Sequence, residues 1–140
     1  MANELTTIHG SYASIISSAA VTGGAVSGES SSVATALSAT EEIYAELDFK
    51  LLASTAHTAG DTVDVYRRAS DGTNASPAVT LTHLHQYVGS ITMNGTVSTY
   101  YYLYGVKNID PEDTFYFVNN SATTITFVLS VRGRTFQPAA

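Results

Sequence analysis

The chain has 140 residues, 44% apolar and only 13% charged, with a net charge of −6 and neither cysteine nor tryptophan. That length supports one domain burying roughly two-thirds of its unfolded surface, and the lack of cysteine excludes disulfides and thiolate metal sites. Six basic residues against twelve acidic ones argue against nucleic-acid binding, which depends on neutralising phosphates. The N-terminal Met-Ala-Asn-Glu-Leu has no basic n-region or apolar h-region, so no signal peptide is expected. No apolar run approaches the ~20 residues of a membrane span.

Residues 1–40 read as an N-terminal arm. They are rich in Ser, Ala, Gly and Thr; residues 10–40 carry one charge, Glu29, and turn chemistry at Gly23-Gly24 and Ser30-Ser31-Ser32. Short β-prone pieces lie at Tyr12–Ile16, Ala19–Thr22 and Val33–Leu37. A segment of small polar residues does not bury enough apolar area to order by itself. It is read as a flexible arm that adds a strand to a sheet edge or orders on a neighbouring subunit. Deleting it is then expected to weaken partner binding more than it lowers the melting temperature.

Residues 41–140 read as a β-sandwich. Ile43, Ala45, Leu47, Phe49 and Leu51 share one parity, and Tyr44, Glu46, Asp48 and Lys50 the other, the period of a half-buried strand. Further strands are predicted over 62–69, 79–91, 99–107, 114–119 and 123–134, after a first over 43–53. The last shows the cleanest one-sided alternation, Ile125, Phe127, Leu129 and Val131, and is predicted to be central. Turn residues separate these runs, among them Asp71-Gly72, Asn94-Gly95 and Asn119-Asn120, which favour positive φ. About seven or eight strands and no amphipathic helix indicate an all-β, antiparallel, jelly-roll-like sandwich.

The residues offer little catalytic chemistry. His83-x-His85 projects from one face of a predicted strand, with His57 as a candidate third ligand, but no further ligand lies at a recognisable spacing, so no metal is assigned. Asp61, Asp64, Asp71 and Asn74 lack calcium-loop spacing, and Asp71-Gly72 reads as a turn. No Gly-x-Ser-x-Gly elbow occurs. Glu46 and Asp48 share one strand face and read as solvated charges. Neither catalysis nor a cofactor is expected.

Tyr100-Tyr101-Tyr102-x-Tyr104 is the most unusual run. Alternation puts Tyr100, Tyr102 and Tyr104 on one face, a platform for a protein partner or a sugar ring. Arg67, Arg68, Arg132 and Arg134 cluster at two strand ends and read as rim ion-pairing groups, each exposed pair contributing ~0–1 kcal/mol.

The run DTVDVYRRASDGTN (61–74), then Val88-Gly89-Ser90-Ile91 and the hairpin FYFVNNSATTITFVLSVRGRTF (115–136), resembles small structural proteins of tailed bacteriophages over residues 41–136. The resemblance implies a β-sandwich on the virion: a capsid decoration (cement) protein made in the host cytoplasm, binding the major capsid protein on the outer head surface, as a homotrimer by analogy with local threefold points. Contact is then expected through the arm, Tyr100, Tyr102, Tyr104, Arg132 and Arg134. A tail component or a glycan-binding module is the alternative.

Overall fold

The computed structural model describes residues 5–37 and 46–138. Two antiparallel sheets face each other across one apolar core. The five-stranded sheet runs β1 (Leu5–His9), β8 (Ile125–Pro138), β3 (Glu46–Ala53), β6 (Thr99–Val106), with β2 (Ala13–Val21) also paired to β8. The three-stranded sheet is ordered β5 (Tyr87–Asn94), β4 (Ala59–Arg68), β7 (Thr114–Asn119). The all-β, antiparallel sandwich expected from alternation is the fold observed.

The period-two residues form the core. Leu47, Phe49, Leu51 and Ala53 of β3 and Ile125, Phe127, Leu129 and Val131 of β8 are fully buried. They meet Val63, Val65, Ile91, Met93, Phe115 and Phe117 from the other sheet. Two edge-to-face pairs, Phe49 with Phe115 and Phe117 with Phe127, each at 4.9 Å between centroids, join the layers; this is a favoured aromatic geometry. β8 is central, hydrogen-bonded to β1, β2 and β3.

Two expectations change. The strand over 79–91 begins only at Tyr87. Residues 79–86 are loop, turned by a Thr80–His83 bridge. Leu81 and Leu84 project to solvent, so their apolar character is not a burial signal there, and β4 already has partners on both sides. Val33–Leu37, read as β-prone, is the short helix α1. Its Val33 and Leu37 lie four apart on one buried face. Ser32 caps it, accepting the Thr35 amide at 3.2 Å. The predicted strand positions 43–45 lie outside the described residues.

The segment assigned to an arm is built into the sandwich from Leu5 to Leu37. Ile15, Ile16, Val21, Val33 and Leu37 are all buried in the shared core. Between β2 and α1 the chain runs along β7 as an irregular strand. The Gly24 amide donates to the Asn119 carbonyl (2.7 Å), and the Ser27 and Ser30 amides donate to the carbonyls of Phe117 (2.8 Å) and Phe115 (2.9 Å). In return, the Ser27 and Ser30 hydroxyls accept the Phe117 (3.0 Å) and Phe115 (2.8 Å) amides. Serine side chains thus stand in for ladder carbonyls, which is how a serine-rich segment orders without much apolar area of its own. Residues 5–37 thus contribute side chains to the core as well as strands to its larger sheet. The boundary at residue 40 lies outside the described residues.

With that irregular strand included, the pairing is nested. β2 pairs with β8, residues 24–30 with β7, β3 with β6, and β4 with β5. The chain is a long antiparallel ribbon folded over the core.

Candidate functional site

β6 is an edge of the five-stranded sheet. Its period places Tyr101 and Leu103 toward the core and Tyr100, Tyr102 and Tyr104 outward, 50%, 45% and 56% exposed. Tyr102 and Tyr104 stack at 5.5 Å with rings 9° from parallel. Tyr12, just before β2, tilts against Tyr102 at 6.2 Å.

Cations lie among these rings. Register aligns Lys50 of β3 with Tyr102 of β6 and with Ser130 of β8. Lys50 Nζ sits 4.6 Å from the Tyr12 ring centroid and 5.0 Å from that of Tyr100. The Arg132 guanidinium lies 4.8 Å from the Tyr12 centroid and that of Arg134 lies 6.0 Å from Tyr104. Contacts of this kind attract the cation to the negative ring face. Burial pushes the Tyr12 hydroxyl up to about 12, against the opposing pull of Arg132.

Beneath this layer, Asp48 is completely buried. It accepts hydrogen bonds from Arg132 Nε (2.9 Å), from Arg134 Nη2 and from the Gly105 amide (3.1 Å). Gly105 reaches it because β6 carries a bulge: Leu47 faces Val106 while Phe49 faces Leu103. The bulged Gly105 has φ +71, a conformation glycine adopts without penalty. Burial alone would raise the Asp48 carboxyl, but the hydrogen bonds from Arg134, Gly105 and Arg132 outweigh it and hold the group below the ordinary carboxylate range. Asp48 is therefore a structural anion rather than the solvated charge expected. Arg132 and Arg134 belong to a buried network, with Arg134 also 3.7 Å from Glu46.

The tyrosine row and the Arg132–Arg134 pair, read separately from the sequence, thus share one face. Arg67 and Arg68 do not join it. Arg67 lies 3.6 Å from buried Asp113, and Arg68 forms a two-oxygen pair with Glu29 at 2.9 and 3.0 Å. Sequence reasoning missed Tyr12, Lys50 and the role of Asp48. Parity alone places Asp48 and Lys50 on the face of Glu46; their alignment with Arg132 and Tyr102 needs the strand register.

The remaining candidates separate. His83 and His85 lie in the 79–86 loop rather than on a strand face: Thr80 and Thr82 hydroxyls approach His83 Nδ1, and His85 Nδ1 donates to the His83 carbonyl at 3.0 Å. His57 contacts the Tyr101 hydroxyl at 3.0 Å. Among the described residues no three potential metal ligands converge. Asp71 accepts the Thr73 and Asn74 amides at 2.8 and 2.6 Å, closing the expected turn with Gly72 at φ +88. No family model and no curated protein matches this chain.

Proposed function

We propose that the protein is a bacteriophage virion structural protein, a capsid decoration protein that docks its tyrosine-bearing sheet face on the outer surface of the head. The observation that carries the reading is the row Tyr100, Tyr102 and Tyr104, half-exposed on an edge strand, with Lys50 over Tyr100, Arg134 over Tyr104 and Arg132 beside them over Tyr12. Tyrosine and arginine are the residue types that anchor protein interfaces. Here their cations are already held by Asp48 and the rings, so little side-chain entropy remains to be lost on docking.

The nested strand pairing supports a jelly-roll reading, an architecture shared by viral coat proteins and lectin domains. Docking across the junction of neighbouring capsid subunits would bury this face and resist internal genome pressure. A homotrimer is the closed assembly suited to a threefold junction.

The test is binding of purified protein to capsids stripped of it. The double variant Tyr102→Ala, Tyr104→Ala is expected to weaken binding about 30-fold or more. Its melting temperature should fall by no more than about 5 °C, since both rings are half in water. Absence of wild-type binding to heads, or equal binding by the variant, would falsify the docking face.

A further inference from the structure

Beside the start of β5 and the end of β6 lies a cleft of about 430 Å3, within the size range of small-ligand sites. Arg67, Gln86, Tyr87, Tyr104, Lys107 and Asn108 line it. No Asp or Glu is among its lining residues, in a chain with twice as many acidic as basic residues. Two of the six basic side chains therefore meet at one small cavity.

The cleft is preorganised. Gln86 and Asn108, on opposite walls, both hold left-handed backbone, φ +55 and +59, which non-glycine residues adopt at a cost. Arg67 pins both. Its backbone amide donates to the Gln86 carbonyl at 3.0 Å, and its Nη1 donates to the Asn108 carbonyl. Asp113 stands 3.6 Å from its Nε. Arg67 Nη2 takes part in no hydrogen bond among the described residues. Lys107 is largely in solvent, 3.7 Å from Glu46. The Tyr87 and Tyr104 rings, 58% and 56% exposed, flank these cations. On the inner wall Gly89 lets Leu103 approach: a Cβ there would lie 2.7 Å from Leu103 Cδ2.

We infer that this cleft binds a carboxylate-bearing sugar residue of an anionic glycan, its carboxylate on Arg67 and Lys107 and its ring C–H face on Tyr87. The guanidinium and ammonium match a carboxylate. The exposed aromatic rings favour a ligand with an apolar face over a bare inorganic anion. The cleft lies beside two sheet edges, β5 and β6.

NMR titration of the full chain tests this. Tri-galacturonate and N-acetylneuraminic acid are the two carboxylated probes; methyl-esterified tri-galacturonate and hexaglutamate are the controls. The expected result is perturbation of Tyr87, Lys107 and Asn108 by at least one carboxylated sugar, with Kd on the order of 1 mM or tighter. The methyl ester should bind about tenfold more weakly or worse, and hexaglutamate should not compete. Lys107→Gln and Tyr87→Ala, both exposed and outside the capsid face, should each weaken binding several-fold while leaving capsid docking unchanged. Which carboxylated sugar binds identifies the source of the glycan. No perturbation at about 10 mM sugar, tenfold above that Kd, sinks the assignment. So does equal binding of ester and acid, equal binding of hexaglutamate (an acidic protein tail instead), or full binding by both variants.

Discussion

Asp48 is the residue on which the outer sheet face depends. A carboxylate with no solvent contact is tolerable only because two guanidinium groups and one amide neutralise and saturate it. Removing its charge leaves Arg132 and Arg134 facing each other without their shared anion. Asp48→Asn is expected to cost about 3–5 kcal/mol in urea unfolding at neutral pH; a loss below about 1 kcal/mol would mean the arginines are paired by solvent instead. The pH dependence follows from the sign of the shift. The folded carboxyl ionises more readily than the unfolded one, so its stabilisation is complete above the unfolded value near pH 4. It is lost as pH falls through the lower folded value. Glu29 is lowered in the same sense: bonds from Thr114 and Arg68 overcome its burial, so Asp48→Asn should flatten the acid limb without abolishing it. A limb unchanged from pH 7 down to acid would assign that sensitivity elsewhere.

Among the elements, the irregular strand at 24–30 shows how composition misleads. Gly, Ser and Ala in that stretch read as linker chemistry, yet Ser27 and Ser30 are buried and replace carbonyls on the edge of β7. Ser27→Ala and Ser30→Ala each strand a buried amide, and each is expected to cost about 1–3 kcal/mol. Ser31→Ala, at the exposed position directly after Ser30, should stay within about 0.5 kcal/mol. Equal effects at all three positions would reduce the serines to turn formers. β6 makes the opposite case. Its outward tyrosines were legible from parity alone. The bulge that turns Gly105 toward Asp48 was not, because it depends on register with β3.

The whole molecule is a ribbon closed from its N-terminal end. β2 covers the side of β8 away from β3, and α1 packs on the same core. Removing residues 1–37 is therefore expected to abolish cooperative thermal unfolding and expose dye-binding apolar surface, rather than merely loosen a partner contact. A sharp transition in the truncated chain would return the segment to the status of an arm. The two surfaces proposed for ligands sit on one side of this ribbon, where β6 ends the larger sheet and β5 the smaller. Tyr104 belongs to both, and capsid docking and glycan capture are separable at Lys107 and Tyr87.

The two-residue period over β3, β6 and β8 determined, without any tertiary information, that the chain is an antiparallel sandwich, that β8 lies inside it and that three tyrosines share a face. Those properties are local: a two-residue period sorts side chains between core and solvent wherever a sheet is half buried. Only the tertiary structure decided that the N-terminal third belongs to the core, that residues 79–86 leave the sheet, and that Asp48, Lys50 and Tyr12 join Arg132, Arg134 and the tyrosines. The first and third of these rest on contacts between residues 38 to 120 positions apart in the chain. Strand register and the hydrogen-bonding needs of a buried charge set those contacts, and neither is written in the spacing of neighbouring residues.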